Sequence, residues 1–315
     1  MLRPIRPIPR TPKIRFIAQR FVFFGLSVLA TIASVLLIVI WGLNFGIDFR
    51  GGILIEVRAK QAVAIGDLRA SLGTLGLGEV ALQEFGAPTD VLIRLQQQEG
   101  GDAAQAAAVE RARDRIAQDL GADVEFRRTE VVGPQVSSEL VEAGAIAVLV
   151  SIAAMMVYIW FRFEWQFGIG AVLALVHDVM LTLGLFALLQ IEFNLTIIAA
   201  LLTIIGYSMN DTVVIFDRVR ENLRKFKQMK LGDLIDLSVN ETLSRTIMTG
   251  GTTLLALLAL YAFGGEVIAG FTLAMIWGVI VGTYSSVYIA APVLLYTGVR
   301  GGRVASEAKA APEAP

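Results

Sequence analysis

The 315-residue chain has no cysteine, which excludes disulfides and thiolate metal sites and leaves the redox compartment open. It has one histidine, His177, so a zinc or haem centre is not expected, and no other cofactor motif is present. Charged residues are also scarce: 17% of the chain, against 55% hydrophobic, with a mean hydropathy of +0.66. That balance is too apolar for a soluble domain of this length and places the chain among membrane proteins. A net charge of −1 gives no reason to expect a nucleic-acid partner. No Walker loop is present. Gly76-Leu-Gly78-Glu-Val-Ala81 fits a loose dinucleotide pattern, but it follows a helix-like stretch and leads into a strand-like one. The fingerprint needs the opposite order, so this segment reads as a turn. No enzymatic chemistry is expected.

Long apolar runs are present instead. Residues 1–20 carry Arg3, Arg6, Arg10, Lys13, Arg15 and Arg20 without an acid, and an apolar run over 21–41 follows. A secretory signal has an apolar core of about 7–15 residues and a small-residue cleavage site, so a retained first transmembrane helix (21–43) fits better. Five further spans are expected over 143–161, 167–189, 195–216, 247–263 and 271–295. The cytoplasmic segments would be the N-terminus, Arg162, a loop over 217–246 with Arg218, Arg220, Arg224, Lys225, Lys227 and Lys230, and a tail over 298–315 with Arg300, Arg303 and Lys309. If all six helices cross, every basic concentration falls on one side, which the positive-inside rule makes cytoplasmic. Both termini are then inside, the helices of 143–297 form the rest of the bundle, and residues 44–142 lie outside the cytoplasmic membrane.

That outside segment holds 16 acidic and 10 basic residues. Residues 53–57 read as a strand, a helix begins near Ala64, and strands are expected over 79–85 and 91–95 with Gly86, Pro88 and Asp90 as turn formers. A helix with Asp102 as N-cap follows, its Ala106, Val109, Ala112, Ile116 and Leu120 on one face and Gly121 as stop. A strand near 124–132 completes a β-α-β-β-α-β order, the ferredoxin-like arrangement. The fold class is thus a six-helix membrane protein with a small extracytoplasmic α+β domain between helices 1 and 2.

The fourth span carries Asn210 and Asp211. A central Asp costs roughly 2.5–3.5 kcal/mol on insertion scales, and an ionisable group in a spanning helix marks an ion or proton path more often than a structural accident. Thr196, Ala199, Ala200, Thr203, Gly206, Tyr207 and Asn210 form a small, polar face expected to pack closely against other helices, with Asp211 at its edge. Arg245 enters the fifth span at comparable depth and reads either as a headgroup anchor or as the partner of Asp211. His177 and Asp178 lie midway along the third span and rank second, since buried polar groups need partners whatever their role. In the sixth span Ala274, Gly278, Gly282 and Ser286 recur every four residues, a face for helix packing.

The blocks GIDFRGG (46–52), VGPQVSSEL (132–140), VHD (176–178) and GYSMNDTVVIFDRVREN (206–222) together resemble the SecF family of bacterial protein-export membrane subunits. The resemblance covers most of the chain and does not extend to the fused SecDF form, since six helices are present. It implies a resistance-nodulation-division type fold and pairing with SecD. It also implies association with the SecYEG channel, with YajC and YidC as possible neighbours, and use of the proton-motive force to complete preprotein export after SecA has acted. It places Asp211 and Arg245 in the proton path, with protons as the coupling ion. An exporter of small molecules or lipids, half the usual size, is the alternative.

Overall fold

A computed structural model describes residues 12–265 and 268–299; the expected N-terminal Arg3, Arg6 and Arg10 and tail Arg300, Arg303 and Lys309 lie outside them. In chain order the helices and strands are α1 (Arg20–Trp41), α2 (Ile47–Arg50), β1 (Gly52–Arg58), α3 (Ile65–Gly73), β2 (Val80–Phe85), β3 (Ala87–Leu95), α4 (Gly101–Leu120), β4 (Glu125–Val132), α5 (Pro134–Arg162), α6 (Trp165–Leu189), α7 (Leu195–Lys225), α8 (Leu231–Phe263) and α9 (Ala269–Ser285). A π-helical segment, Ser286–Ala290, and the short α10 (Ala291–Val293) continue α9. Six helices are long and apolar enough to cross a membrane. The chain divides into two units.

One unit holds residues 44–147 and 192–196. Its four strands are antiparallel in the order β2-β3-β1-β4, which is the ferredoxin-like topology. Ile53, Ile55 and Val57 of β1 pack with Leu68 and Leu72 of α3 and Ala112 and Ile116 of α4. The intervening Leu54 lies on the other face with Ile47 and Leu92. Also buried on that face is Asp90, whose carboxylate accepts two hydrogen bonds from Arg58, Nε to Oδ1 at 2.7 Å and Nη2 to Oδ2 at 2.5 Å. These bonds hold its carboxyl below the ordinary carboxylate value, against the opposing effect of burial.

Two local expectations change. The β2–β3 turn tightens to Gly86 in the left-handed region, so Pro88 and Asp90 belong to β3 rather than to a turn. Pro88 sits near the start of its strand, where a missing N–H is tolerated, and its carbonyl accepts from Val63 N. Gly100, also left-handed, caps α4, which puts Asp102 inside the first turn rather than at the N-cap; an acid there still faces the helix's positive end.

The GIDFRGG block forms the base of this unit. Phe45 and Phe193 pair in parallel, Gly46 N donates to Phe193 O at 2.9 Å, and Asp48 Oδ2 accepts from Leu195 N at 2.9 Å. Arg94 pairs with Glu192 at 2.5 Å. A Cβ on Gly46 would stand 2.6 Å from Glu192 Oε1. Gly51 and Gly52 are both at positive φ, ending α2 and turning the chain into β1.

The other unit is the helix bundle. Phe167 and Phe216 meet edge-on at 5.1 Å in its core, with Phe163, Met209 and Leu175 around them. The expected loop over 217–246 is mostly helix, because α7 continues to Lys225 and α8 starts at Leu231, well before 247. This extension of α8 is amphipathic: Leu234, Ile235 and Val239 bury against Val219, Leu223 and Ile17, while Asp233 and Glu241 are less buried. A search for uniformly apolar stretches reads only the lipid-spanning part of such a helix. Similarly, α5 begins at Pro134 rather than near 143.

Candidate functional site: buried carboxylates between α6, α7 and α9

The contact of α7 with α9 is set by two glycines. At Gly278 any Cβ would collide with Ile204, and at Gly282 it would stand 2.8 Å from Ser208 Cβ. The large residues of α7 fill the grooves left by the small residues of α9. Accordingly Ile197, Ala200, Leu201, Ile204, Ile205 and Ser208 are buried. Most of the small face expected to pack is turned outward: Thr196, Ala199, Thr203, Gly206 and Asn210 are exposed within this chain.

Asp211 is 3% exposed. Its Oδ2 accepts one long hydrogen bond, from Thr283 Oγ1 of α9 at 3.4 Å. Just beyond, Thr212 Oγ1 and Ser286 Oγ are 2.8 Å apart, and Ser286 Oγ also lies 2.8 Å from Gly282 O. Asn210, next to Asp211 in sequence, faces away from this seam.

Arg245 is exposed and lines a cavity of about 760 Å³ with Arg162, Arg218, Arg220, Arg224, Asp217, Glu221 and Glu241. Arg162 pairs with Asp217 at 2.7 Å, and Arg218 with Glu241 at 2.7 Å and Glu221 at 2.6 Å. Among the described residues no ion pair joins Asp211 to Arg245; the acid is buried against α9 while the guanidinium opens to the cavity. Tyr207 OH and Thr246 Oγ1, on α7 and α8, are buried without a hydrogen-bond partner. A bound water would satisfy groups of this kind.

The pair ranked second has the richer set of partners. Asp178 is 1% exposed and His177 6%. Ser208 Oγ of α7 and Ser285 Oγ of α9 donate to Asp178 Oδ2 at 2.6 and 2.8 Å, and His177 Nδ1 lies 3.0 Å from Oδ1. Two carboxylates, Asp178 and Asp211, are thus tied into the seam between α7 and α9. The small face on α9 reads from sequence as packing alone; the hydroxyls flanking it, Thr283 and Ser285, are the hydrogen-bond partners of the two acids that this reading misses. Their signal is two hydroxyl residues beside a four-residue glycine repeat, at the level of an acid on a neighbouring helix. Among the described residues no group of His, Asp and Glu is arranged to hold a metal ion.

The protein-export membrane protein SecD/SecF family, in its C-terminal region, matches residues 113–300, and the SecD/SecF GG motif matches residues 37–63. Protein translocase subunit SecF of Rickettsia rickettsii is 48% identical over 291 residues, covering 92% of this chain and 94% of its own. SecF of Rhodobacter capsulatus is 49% identical over 312 residues, covering 94% and 92%. Among solved structures, SecDF of Thermus thermophilus, a translocon-associated membrane protein, superposes with a TM-score of 0.83 at 34% identity. The match takes in 92% of this chain and 39% of that longer one. SecDF in a super-membrane-facing form superposes with a TM-score of 0.68 at 35% identity, over 97% of this chain and 41% of the other.

Proposed function

The chain belongs to the SecD/SecF family of protein-export membrane proteins, a SecF-like accessory subunit of protein translocation, and from that premise we propose how it works. It pairs with a SecD-type protein in the bacterial inner membrane, with both termini cytoplasmic and residues 44–142 outside. The pair associates with SecYEG, alongside YajC and YidC, and draws on the proton-motive force to drive late steps of preprotein export. Protons are the coupling ion, and Asp211 carries them. Asn210 and Arg245 complete the path on the side facing the partner.

The observation that carries this reading is an acid, 3% exposed, at the edge of an outward stripe of small and polar residues. Thr196, Ala199, Thr203, Gly206 and Asn210 on α7 and Arg245, Thr252 and Ala256 on α8 are exposed within this chain, a composition suited to helix association in lipid. A partner helix laid there would pack against the turn of α7 that carries Asp211. Each charge moved through 100 mV supplies about 2.3 kcal/mol, enough to bias a two-state element in the outside domain.

Asp211→Asn tests the proposal. The amide is near-isosteric and carries no charge, so assembly with SecD should persist while the stimulation of export by proton-motive force falls to the level seen without this subunit. Full proton-driven export by the Asn variant refutes the role.

A further inference from the structure

We infer that His177 and Asp178 form a second proton-binding station, in series with Asp211 along the hydroxyl-lined seam between α7 and α9. The inference rests on the reading that this bundle conducts protons and extends it to a pair that the reading leaves unused.

Charge balance is the first argument. Asp178 is 1% exposed, and His177 is the only cation-capable group within ion-pair distance of it among the described residues. Ser208, Ser285 and His177 Nδ1 surround its carboxylate as donors. With a neutral imidazole the pair carries a net charge of −1 in a medium that penalises unpaired charge heavily. One added proton makes it neutral. A buried acid–imidazole pair with this donor set holds a single proton in either of two places without disturbing its packing.

The second argument is the open valence of the imidazole. His177 Nε2 is buried and has no hydrogen-bond partner, while Nδ1 is fixed by Asp178 Oδ1. The structure of the step follows. A proton arriving at Nε2 lets the Nδ1 proton pass to Asp178 Oδ1. The imidazole stays neutral with its hydrogen on the far nitrogen, the carboxylate becomes a carboxylic acid, and the pair's charge changes from −1 to 0.

Connectivity is the third. Ser208, which donates to Asp178, lies three residues before Asp211 on α7, about 4.5 Å along the axis. Ser285, its second donor, lies two residues beyond Thr283, which donates to Asp211. Ser286 and Thr212 add two further hydroxyls in the same turn. The π-helical turn begins at Ser286, a departure that recurs at functional sites. Of the titratable groups on the elements packed against the pair, Tyr284 of α9 has its ring 6.0 Å from the imidazole, and Asp211 of α7 lies about one turn along from Ser208. From α1, the uncharged Ser27 lies 2.8 Å from Tyr284 OH.

The test reconstitutes the chain with its SecD-type partner in sealed vesicles and measures initial proton uptake with a trapped pH dye after an acid pulse. Asp178→Asn keeps a carbonyl acceptor for both serines, and His177→Asn keeps a donor toward Asp178 while removing the far nitrogen. Each should lower uptake at least about tenfold with the melting temperature unchanged. Wild-type uptake in both, with uptake abolished in Asp211→Asn, overturns the inference and leaves the Asp211 proposal standing. Undiminished uptake in Asp211→Asn removes the conduction reading and this inference with it. If Asp178→Asn fails to assemble, His177→Asn decides: lost uptake supports the station, and wild-type uptake overturns it.

Discussion

Two carboxylates buried in one bundle are held in opposite ways. Asp178 has short bonds from two serines and a histidine, whereas Asp211 has one bond at 3.4 Å. The weakly held acid is the one with fewer bonds to break, which suits the proton-carrying role proposed for it. Hydropathy alone exposes both residues, because a charge in an apolar run stands out. The hydroxyls that hold them do not stand out, since Ser and Thr are unremarkable in lipid and only the rotation of each helix decides which face inward. Arg245 shows the same limit. Its depth is readable from sequence, but its direction is not, and it opens to the cavity rather than contacting Asp211. With no forked contact to reproduce, the role proposed for Arg245 in the proton path rests on its charge alone. Arg245→Lys should therefore retain most proton-driven export, and Arg245→Ala should lose about tenfold, the effect of removing roughly 1.4 kcal/mol of charge interaction. Export assays on membrane vesicles at fixed proton-motive force measure both; an unimpaired Ala variant would make Arg245 a headgroup anchor.

At the scale of elements, periodicity gives six spanning helices and the β-α-β-β-α-β order, and the antiparallel sheet has the ferredoxin-like connection. What periodicity leaves open is which face of α7 packs. A small face associates closely with another helix, but it does not specify which chain supplies that helix. The grooves at Gly278 and Gly282 are already on α9, so α7 presents Ile204 and Ser208 to them and leaves its own small face free. Gly282→Ala tests this arrangement. The added methyl meets Ser208 Cβ at 2.8 Å and its Cα at 3.2 Å, so the backbone has to yield. Overpacking of this kind costs about 1–3 kcal/mol. Thermal unfolding of the purified chain in detergent should move several degrees lower, and an unchanged midpoint would mean that α7 and α9 are not in register as described.

For the whole molecule, the charge distribution supports the proposed orientation, and several spanning helices leave most of their sides uncovered within this chain. In α5 only 6% of the most apolar window is buried, and in α1 11%, against 61% for the helix that begins at Ala269. The first two present their sides to lipid or to a partner. The absence of cysteine makes topology directly measurable. Glu110→Cys, on the exposed face of α4, should react with an impermeant thiol reagent in intact cells whose outer barrier has been opened. Labelling only after the cytoplasmic membrane is breached would reverse the orientation. The glycine contacts between α7 and α9 also bear on motion. Gly278 and Gly282 stand one turn apart, about 6 Å along the axis, and seat Ile204 and Ser208 at the same interval. A slide of one or two ångströms would drive a side chain into the ridge between the two seats, so the helices are geared together. Any displacement of the Asp211 helix carries Thr283 and Ser285 with it as one toothed piece.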